Sequence, residues 1–340
     1  MTERRRAVDD DYLCALARPR ARMRQENTMS APVTFRPIGP DEVDFFLSFA
    51  DASPLGLKPP REMYLDGLTK WYRPEWSWVA LREGKVLARV AFSGEPGAQR
   101  PAVMGSLEIG TGPDRVENGV ALVRAAYATL SDDGTGDDGR PSYRQFLPVD
   151  WRDHAGMRAA VEDRRTVARL AGLSFLVERL ELRWVPTAGL SLRPGRLTFR
   201  PVRDDAELLE VVRGTFSGTL DAQARWDIER LGLDAAVSAF VAEFPEPRTL
   251  WRTAVDRSGS RIGIAVPGHG AWGPDVAYIG VLPEYRGNGY VDDLLLEASH
   301  LLAVGSVDDI GAATDVGNLP MAASFDRCGY RVVDRLMVHV

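Results

Sequence analysis

Apolar positions in the second half of the chain change from strand spacing to helix spacing across a short loop that contains glycine. The run Val276-Ala277-Tyr278-Ile279-Gly280 is apolar throughout, which is typical of a buried strand. After the loop, the apolar residues have the i, i+3, i+4, i+7 spacing of a helix packed on a sheet. They are Val291, Leu294, Leu295, Ala298, Leu301 and Leu302. The pattern predicts a strand, a loop over residues 281–289 and a helix.

The same order of elements is predicted twice. The segment Thr34-Phe35-Arg36-Pro37 recurs as Thr198-Phe199-Arg200-Pro201, and an acidic helix start follows each copy. Each half continues with a strand pair around a turn, at Glu83-Gly84-Lys85 and at Arg257-Ser258-Gly259. Each copy then reads as a strand, one or two helices, three strands, a helix, a strand, a helix and a final strand. The predicted fold class is α/β, in the form of an α+β mixed sheet with helices on both faces, built from two repeats of one unit.

The length and the composition divide the chain into four segments. At 340 residues it is about twice as long as a typical domain, in agreement with two units. We predict a first lobe over residues 32–185, a linker rich in proline, glycine and arginine over 186–196, and a second lobe over 197–340. Residues 1–31 mix arginines with aspartates and contain no apolar core, so we predict a disordered leader or a mis-started N-terminus.

The charge and the cysteine content narrow the possible partners. A formal charge of −6, with no basic run outside the extreme N-terminus, argues against a nucleic-acid partner. Two cysteines, Cys14 and Cys328, suit a reducing compartment and leave no room for a disulfide framework. No window approaches the roughly 18 apolar residues of a membrane span. We therefore expect a cytoplasmic protein, monomeric or homodimeric, without a membrane or nucleic-acid partner.

Residues 281–289 have the composition of a loop that holds phosphate. Gly287 and Gly289 allow consecutive backbone N–H groups to point inward, and the free N–H groups of the following helix add a partial positive charge. The Gly-x-x-x-x-Gly-Lys-[Ser/Thr] motif is absent, and Gly-x-Gly-x-x-Gly lacks a glycine and its acidic ribose partner. The loop therefore predicts an anionic cofactor outside these two classes.

This loop resembles the acetyl-coenzyme A loop of the GNAT acyltransferases, whose pattern is Val-x-Pro-x-x-Arg-Gly-x-Gly-x-Gly/Ala. The matching residues are Val281, Pro283, Arg286, Gly287 and Gly289, whereas Val291 stands where the family prefers glycine or alanine. A second GNAT signature follows in the expected order and separation, with Asn318, Phe325, Gly329 and Tyr330. The order of elements in each half is also that of the GNAT fold, so the chain resembles a tandem pair of GNAT lobes.

The resemblance implies acetyl-coenzyme A or another acyl-coenzyme A as co-substrate. The Val281 N–H would donate to the thioester carbonyl and stabilise the oxyanion, beside a strand that splays from its neighbour. Asn318 would contact the pantetheine arm or a bound water, and Phe325 would pack against the coenzyme. The implied coenzyme-binding residues are Ile279, Val281, Leu282, Pro283, Arg286, Gly287, Asn288, Gly289, Tyr290, Val291, Asn318 and Phe325.

Acyl transfer also needs a general acid and a general base, for which the sequence offers several candidates. Phe325 replaces the tyrosine that commonly protonates the leaving thiolate in this family, although a thiol of pKa near 8.5 leaves tolerably as an anion. An alkylamine arrives protonated and needs a base. Asp315, at the predicted carboxyl end of the strand beside the splay, is the leading candidate; it could equally anchor the substrate ammonium or cap the turn at Gly317-Asn318. Tyr278 and His269 are weaker choices.

Charged residues mark one face of the helix that follows the loop. The polar face of the helix after the loop carries Asp292, Asp293, Glu297 and His300, for which we predict an exposed face and no metal site, because no paired histidine lies at coordinating spacing.

In the first lobe the equivalent loop, residues 110–115, has no Arg-x-x-Gly-x-Gly, and Asp114 would repel a phosphate. We therefore predict a degenerate first lobe that packs against the second and shapes one wall of the substrate cleft.

These features favour an N-acyltransferase that moves an acetyl or related group from acyl-coenzyme A to a primary amine of a small molecule. No Ser-His-Asp or Cys-His nucleophile system is recognisable, which suits direct attack without a covalent enzyme intermediate. Two alternatives remain open at this stage. One is a non-catalytic acyl-coenzyme A binding protein, and the other is a GNAT-like enzyme with different acyl-coenzyme A chemistry, such as decarboxylation.

Overall fold

One mixed sheet runs through both halves of the chain in the computed structural model, which describes residues 31–49, 53–55, 61–68, 70–130, 139–270 and 273–340. Residues Val33–Val340 belong to one unit. The leader predicted for residues 1–31 lies outside the described residues, except for its last position. None of the described helices is both long enough and apolar enough to cross a membrane.

Both halves contain the predicted order of elements, except that three helices follow the first strand of the second half where one or two were predicted. The first half comprises β1 (Thr34–Pro37), α1 (Val43–Leu47), α2 (Arg61–Gly67), β2 (Tyr72–Arg82), β3 (Lys85–Ser93), β4 (Val103–Glu108), α3 (Arg115–Leu130), β5 (Ser142–Leu147), α4 (Ala155–Leu170) and β6 (Phe175–Trp184). The second half comprises β7 (Thr198–Pro201), α5 (Asp205–Phe216), α6 (Ala222–Leu231), α7 (Leu233–Ala242), β8 (Arg252–Val255), β9 (Arg261–Gly270), β10 (Gly273–Val281), α8 (Tyr290–Leu302), β11 (Ile310–Asp315), α9 (Leu319–Arg327) and β12 (Arg331–His339). The predicted fold class is confirmed.

The repeated tetrapeptide has the same structural role in both halves. Arg36 forms a bidentate ion pair with Glu42, at 2.6 and 2.7 Å, which joins β1 to the turn of helix that follows it. Arg200 pairs in the same way with Glu207 on α5. A planar guanidinium matches both carboxylate oxygens at once, so each pair fixes the angle at which the chain leaves its first strand.

The final strands of the two halves are exchanged. The order of strands across the sheet is β1-β2-β3-β4-β5-β12-β6-β11-β10-β9-β8-β7. Strand β12, from the second half, lies between β5 and β6 of the first, and β6 lies against β11 of the second. The sequence predicts a terminal strand in each half but carries no information on which sheet each strand joins.

The two faces of β6 are covered by different helices. Leu180, Leu182 and Trp184 belong to the apolar cluster that includes α8, whereas Arg179, Glu181 and Arg183 alternate onto the opposite face. Helix α6 contacts β6, and its residue Ala222 packs against Val177 of that strand. This second face is therefore the polar side of the central sheet, and it carries the cavity described next.

Candidate coenzyme and acceptor site

Strands β10 and β11 separate just before the predicted coenzyme loop. They are paired in parallel at a single position, Asp275 with Gly311, and a bulge interrupts β10 between Val276 and Tyr278. Beyond this point each strand is paired only on its outer side, to β9 and to β6. A gap therefore opens between the two strands towards their carboxyl ends, as the resemblance implies.

The backbone of Val281 faces this gap. Leu282 N–H donates to the Ile262 carbonyl of β9 at 2.9 Å, and peptide groups alternate in direction along a strand. The N–H and carbonyl of Val281 consequently point away from β9, and its carbonyl accepts a hydrogen bond from Arg286 Nε at 3.0 Å. The geometry suits the proposed oxyanion donor, and the role of Val281 remains a prediction.

The loop itself presents free backbone N–H groups. A short 3₁₀ turn at Pro283–Tyr285 leads to Gly287 and Gly289, whose φ values of 81° and 71° lie in the left-handed region that favours glycine. Gly289 is the N-cap of α8. Among the described residues, no acceptor is found for the backbone N–H groups of Gly287, Asn288 and Gly289. Together with the first turn of α8 they form a concave set of donors suited to a phosphate.

The guanidinium of Arg286 holds the loop in place. It donates to the carbonyls of Thr215 and Ser217 at 2.8 Å, and to that of Gly218 at 3.2 Å, all at the end of α5, as well as to Val281. Four carbonyls therefore accept from a guanidinium that has five N–H donors. Arg286 therefore ties the loop to α5, and its predicted contribution to coenzyme binding follows from shaping the loop.

The acids of α8 do not form an exposed face, so that prediction is wrong for Asp293 and Glu297. Asp293 is 2% exposed and pairs with Arg196 of the predicted linker, while Glu297 is 7% exposed and pairs with Arg193 at 2.6 Å. Asp292 accepts from Ser324 at 2.6 Å and from Arg327 at 2.8 Å. These partners neutralise the acidic first turn beside the loop.

Asp292 shows the effect of this pairing directly. Burial alone would raise the pKa of its carboxyl, but the hydrogen bonds and charge of Arg327 and the hydroxyl of Ser324 outweigh burial and hold the pKa below its ordinary value. The carboxylate is therefore charged and fully engaged. An anion that approaches the loop meets neutralised acids together with the free N–H groups.

A cavity of about 880 Å³ extends from the loop across the polar side of the sheet. Of the predicted coenzyme residues, those on its wall are Ile279, Val281, Arg286, Gly287, Gly289, Tyr290, Val291, Asn318 and Phe325. Leu282, Pro283 and Asn288 belong to the same loop but do not line the cavity. The structure thus brings the loop and the second signature together around one space.

Phe325 is a core residue at the cavity wall. It is 2% exposed and packs edge-on against Tyr330 with ring centroids 5.1 Å apart. The hydroxyl of Tyr330 lies 2.8 Å from Ser299 Oγ inside the core. Asn318 is the N-cap of α9, and its backbone N–H donates to the Asp315 carbonyl at 2.9 Å.

Asp315 lies behind the cavity wall. Its Oδ2 accepts from the backbone N–H of Ala222 at 2.6 Å, at the first turn of α6, and its Oδ1 lies 3.6 Å from Arg179 Nε. Among the described residues Oδ1 has no hydrogen-bond partner. Burial, followed by the nearby charge of Asp221, raises the pKa of this carboxyl. The raised pKa and the free oxygen favour a base. The contact with Ala222 makes Asp315 a cap of α6, and not of the turn at Gly317-Asn318 that the sequence suggested. The role of Asp315 as a base stays a prediction.

The two weaker base candidates occupy different surroundings. Tyr278 lines the cavity, its hydroxyl lies 2.8 Å from Thr215 Oγ1, and burial raises its pKa to about 12. A tyrosine in this state holds its proton at neutral pH and would act as a donor. His269 is exposed at the end of β9, away from the cavity lining.

The cavity wall opposite the loop was not predicted from the sequence. It is contributed by β5, β6 and β12 and by helices α6 and α7, and its charged residues are Arg144, Arg179, Asp221, Asp227, Arg230 and Glu243. Strand exchange brings the first-half residues Arg144 and Arg179 into a cavity of the second half. Only the general expectation that the first lobe shapes one wall anticipated this arrangement.

The equivalent gap in the first half is filled. Strands β4 and β5 pair in parallel at residues 103 and 104 and then separate. Arg164 of α4 occupies the opening, where it donates to the Leu107 carbonyl at 2.9 Å and pairs with Glu108 at 2.6 Å. Both side chains are at most 5% exposed, and the remaining space is about 20 Å³. This volume suits about one water molecule and not a pantetheine arm.

No protein-family model matches the chain, and no curated protein matches it. Solved structures do resemble it. A GCN5-related N-acetyltransferase from Sphaerobacter thermophilus has a TM-score of 0.51 at 15% identity, over 91% of this chain and 96% of that one. The glucosamine N-acetyltransferase region of a fungal multi-domain GH3 β-N-acetylglucosaminidase has a TM-score of 0.55 at 14% identity, over 91% of this chain and 38% of that one.

These similarities, together with the open gap and the loop, define the class of fold. The chain has the GNAT acyltransferase fold, and the likeness extends through both halves. Sequence identities of 14% and 15% establish the fold alone. At that level the fold suggests acyl transfer, and the chemistry must be argued from the site.

Proposed function

We propose that the protein is an N-acyltransferase that moves an acyl group from acetyl-coenzyme A, or a related acyl-coenzyme A, to the primary amine of a small molecule. The observation that carries the proposal is the continuity of three features: a loop with free N–H groups, a gap that exposes the backbone of Val281, and a cavity beyond it. Phosphate, pantetheine and acceptor would occupy them in that order. The fold alone does not supply this argument.

Acyl-coenzyme A supplies the activated acyl group when it is bound. The N–H groups of residues 287–291 would hold its pyrophosphate, and the Val281 N–H would donate to the carbonyl oxygen as negative charge develops there. The amine nitrogen forms a bond to the acyl carbon, the carbon–sulfur bond breaks, and the amine proton passes to a base. We propose Asp315 as this base, reached through a water because its carboxyl lies behind the cavity wall. Phe325 gives no proton, so the thiolate leaves as an anion and takes its proton from water.

The acceptor is proposed to be small because the cavity is closed on several sides. The sheet forms its floor, α6 and α7 form its cover, and residues from both halves form its walls. A volume of about 880 Å³ lies within the range of small-molecule sites and must also hold part of the coenzyme arm.

Thiol release with acetyl-coenzyme A and a panel of amines tests this proposal, with calorimetry of coenzyme A binding in parallel. We expect amine-dependent thiol release. Binding without turnover on any amine would favour the non-catalytic binding protein, for which the replacement of the usual tyrosine by Phe325 is the specific argument. Consumption of malonyl-coenzyme A without any amine would favour decarboxylation.

A further inference from the structure

Two opposite charges line the cavity without partners of their own. Among the described residues, no hydrogen bond or ion pair engages the side chain of Arg144 or that of Glu243. Two neighbouring arginines do have carboxylate partners, since Arg179 faces Asp315 and Arg183 pairs with Asp309 at 3.3 Å. Both residues are nevertheless exposed, so their charged groups are open to solvent and to a ligand. A ligand that brings the complementary charges would meet two groups that make no competing hydrogen bond or ion pair.

Arg144 lies level with Val281 across the sheet. It pairs with Val338 of β12, which pairs with Val177 of β6. The β6–β11 register continues past Asp315, because Val316 N–H donates to the Glu178 carbonyl. Three strand spacings, about 14 Å in all, separate β5 from β11, where the gap begins. The guanidinium is therefore at the far end of the cavity from the reacting carbonyl.

Between Arg144 and Val281, the sheet that forms the floor of the cavity is apolar. Val177 and Val338 form the floor along this row, and Leu336 and Val340 lie beside them. Such a floor favours a hydrocarbon chain between the amine that reacts and the charged end.

Glu243 reaches the same end of the cavity from the cover. It follows the last residue of α7, and its surroundings include the charges of Arg144 and Asp227. Burial raises the pKa of Glu243, and the positive charge of Arg144 opposes this rise. The far end therefore combines Arg144 and Glu243, which do not bond to each other, with the further negative charges of Asp227 and Glu95 nearby.

On the basis of the function proposed above, the geometry points to a diamino acid as the acceptor: Arg144 binds its carboxylate, Glu243 binds its α-ammonium, and its distal amine attacks the acyl group at Val281. A carboxylate matches the planar guanidinium, and the apolar floor takes the methylene chain. The long side chain of Arg144 and the four-carbon stem of lysine together span the distance between β5 and the gap.

Three probe amines separate the parts of this proposal. Lysine has both head-group charges, 6-aminohexanoate lacks the α-amine, and 1,5-diaminopentane lacks the carboxylate. With saturating acetyl-coenzyme A, we expect kcat/KM for lysine to exceed that for each of the other two by roughly tenfold, the size expected for loss of one hydrogen bond to a charged group. A preference for 1,5-diaminopentane or for uncharged alkylamines would overturn the diamino acid assignment and leave acyl transfer standing.

Two variants assign the contacts. Arg144→Ala should abolish the preference for lysine over 1,5-diaminopentane, and Glu243→Gln should abolish the preference for lysine over 6-aminohexanoate, with the coenzyme A dissociation constant unchanged in both. Arg331→Ala is the control, because this exposed arginine of β12 pairs with Asp326 outside the cavity. Preferences that survive in the variants would refute the assignment. Absence of thiol release with every amine would instead refute acyl transfer, and the diamino acid with it.

Discussion

Arg196 covers the buried carboxylate of Asp293 at the first turn of α8 and, with the same guanidinium, donates to the carbonyls of Asn288 and Gly289 at 2.9 Å. A residue of the predicted linker thus binds two backbone groups of the predicted coenzyme loop and the acid behind it. The carbonyl groups point outward to Arg196, which leaves the N–H side of the loop free to face an anion.

Removal of Arg196 should weaken coenzyme binding. In Arg196→Ala the Asp293 charge is left without its partner beside the pyrophosphate, so we expect the coenzyme A dissociation constant to rise roughly tenfold, equivalent to about 1.4 kcal/mol. Adding Asp293→Asn should restore part of the loss. Arg193→Ala is the matched control, since it removes the ion pair of a second linker arginine with α8 but makes no contact with the loop. Equal losses in the two single variants would show that general destabilisation is responsible.

The substitution Gly289→Glu should abolish coenzyme binding. A residue with a side chain is strained at a φ of 71°, and a carboxylate at this position would repel the phosphates. Gly259→Glu makes the same change at a φ of 84°, in the open turn between β8 and β9, and should leave affinity intact. Calorimetric binding by Gly289→Glu as tight as that of the wild type would remove the loop from the site.

Substitution of Asp315 by asparagine separates the roles of base and cap. An asparagine oxygen accepts the Ala222 N–H as the carboxylate does, but it cannot take up a proton. If Asp315 is the base, kcat should fall by about 10² or more with little change in coenzyme affinity. Because burial raises its pKa, the acid limb of the wild-type pH–rate profile should also lie above the ordinary carboxyl range. An unchanged rate at saturating amine would identify Asp315 as a cap.

The ion pair of the second tetrapeptide should make stability depend on pH. Hydrogen bonds from Arg200, then the backbone N–H of Arg203, lower the pKa of Glu207 from 4.5 to about 2 despite burial. The contribution is complete above pH 4.5 and is lost as the pH falls through about 2. Glu207→Gln should therefore cost about 2 kcal/mol at pH 7, and less as the pH falls below 4.5.

Urea unfolding at several pH values measures this difference. Glu210→Gln is the control on the same helix, because its ion pair with Arg261 is more exposed and should contribute at most about 1 kcal/mol. A gap between wild type and Glu207→Gln that is constant from pH 7 to pH 3 would contradict the linkage.

The filled gap of the first half predicts a stoichiometry of one. Arg164 and Glu108 fill the gap that corresponds to the proposed place of the coenzyme arm in the second half, so we expect calorimetric titration to give one coenzyme A per chain. Arg164→Ala should not create a second site, because the first-half loop also lacks the glycine pattern. Two equivalents bound by the wild type would show that the first half retains coenzyme binding.

Local patterns predicted most of the fold and identified the loop that forms one end of the cavity. The element order follows from apolar spacing, and the coenzyme loop follows from glycines that the backbone requires at Gly287 and Gly289. The exchange of β6 and β12 was not predictable, because both strands alternate apolar and polar residues in a similar way. Either strand would therefore fit either position in the sheet. Arg144 and Glu243 were missed for the same reason, since strand exchange and the helical cover place them at the cavity. The burial of Asp293 depended on Arg196, 97 residues away.

The exchanged strands also account for the presence of a half without its own coenzyme loop. The half with the intact loop obtains the strand beside β11 from the other half, and its own last strand lies beyond that one. Deletion of the first half would therefore remove the support of β11 and one wall of the cavity together. The two halves therefore cannot be separated into an independent domain and a dispensable neighbour, because the strands of each complete the sheet around the cavity.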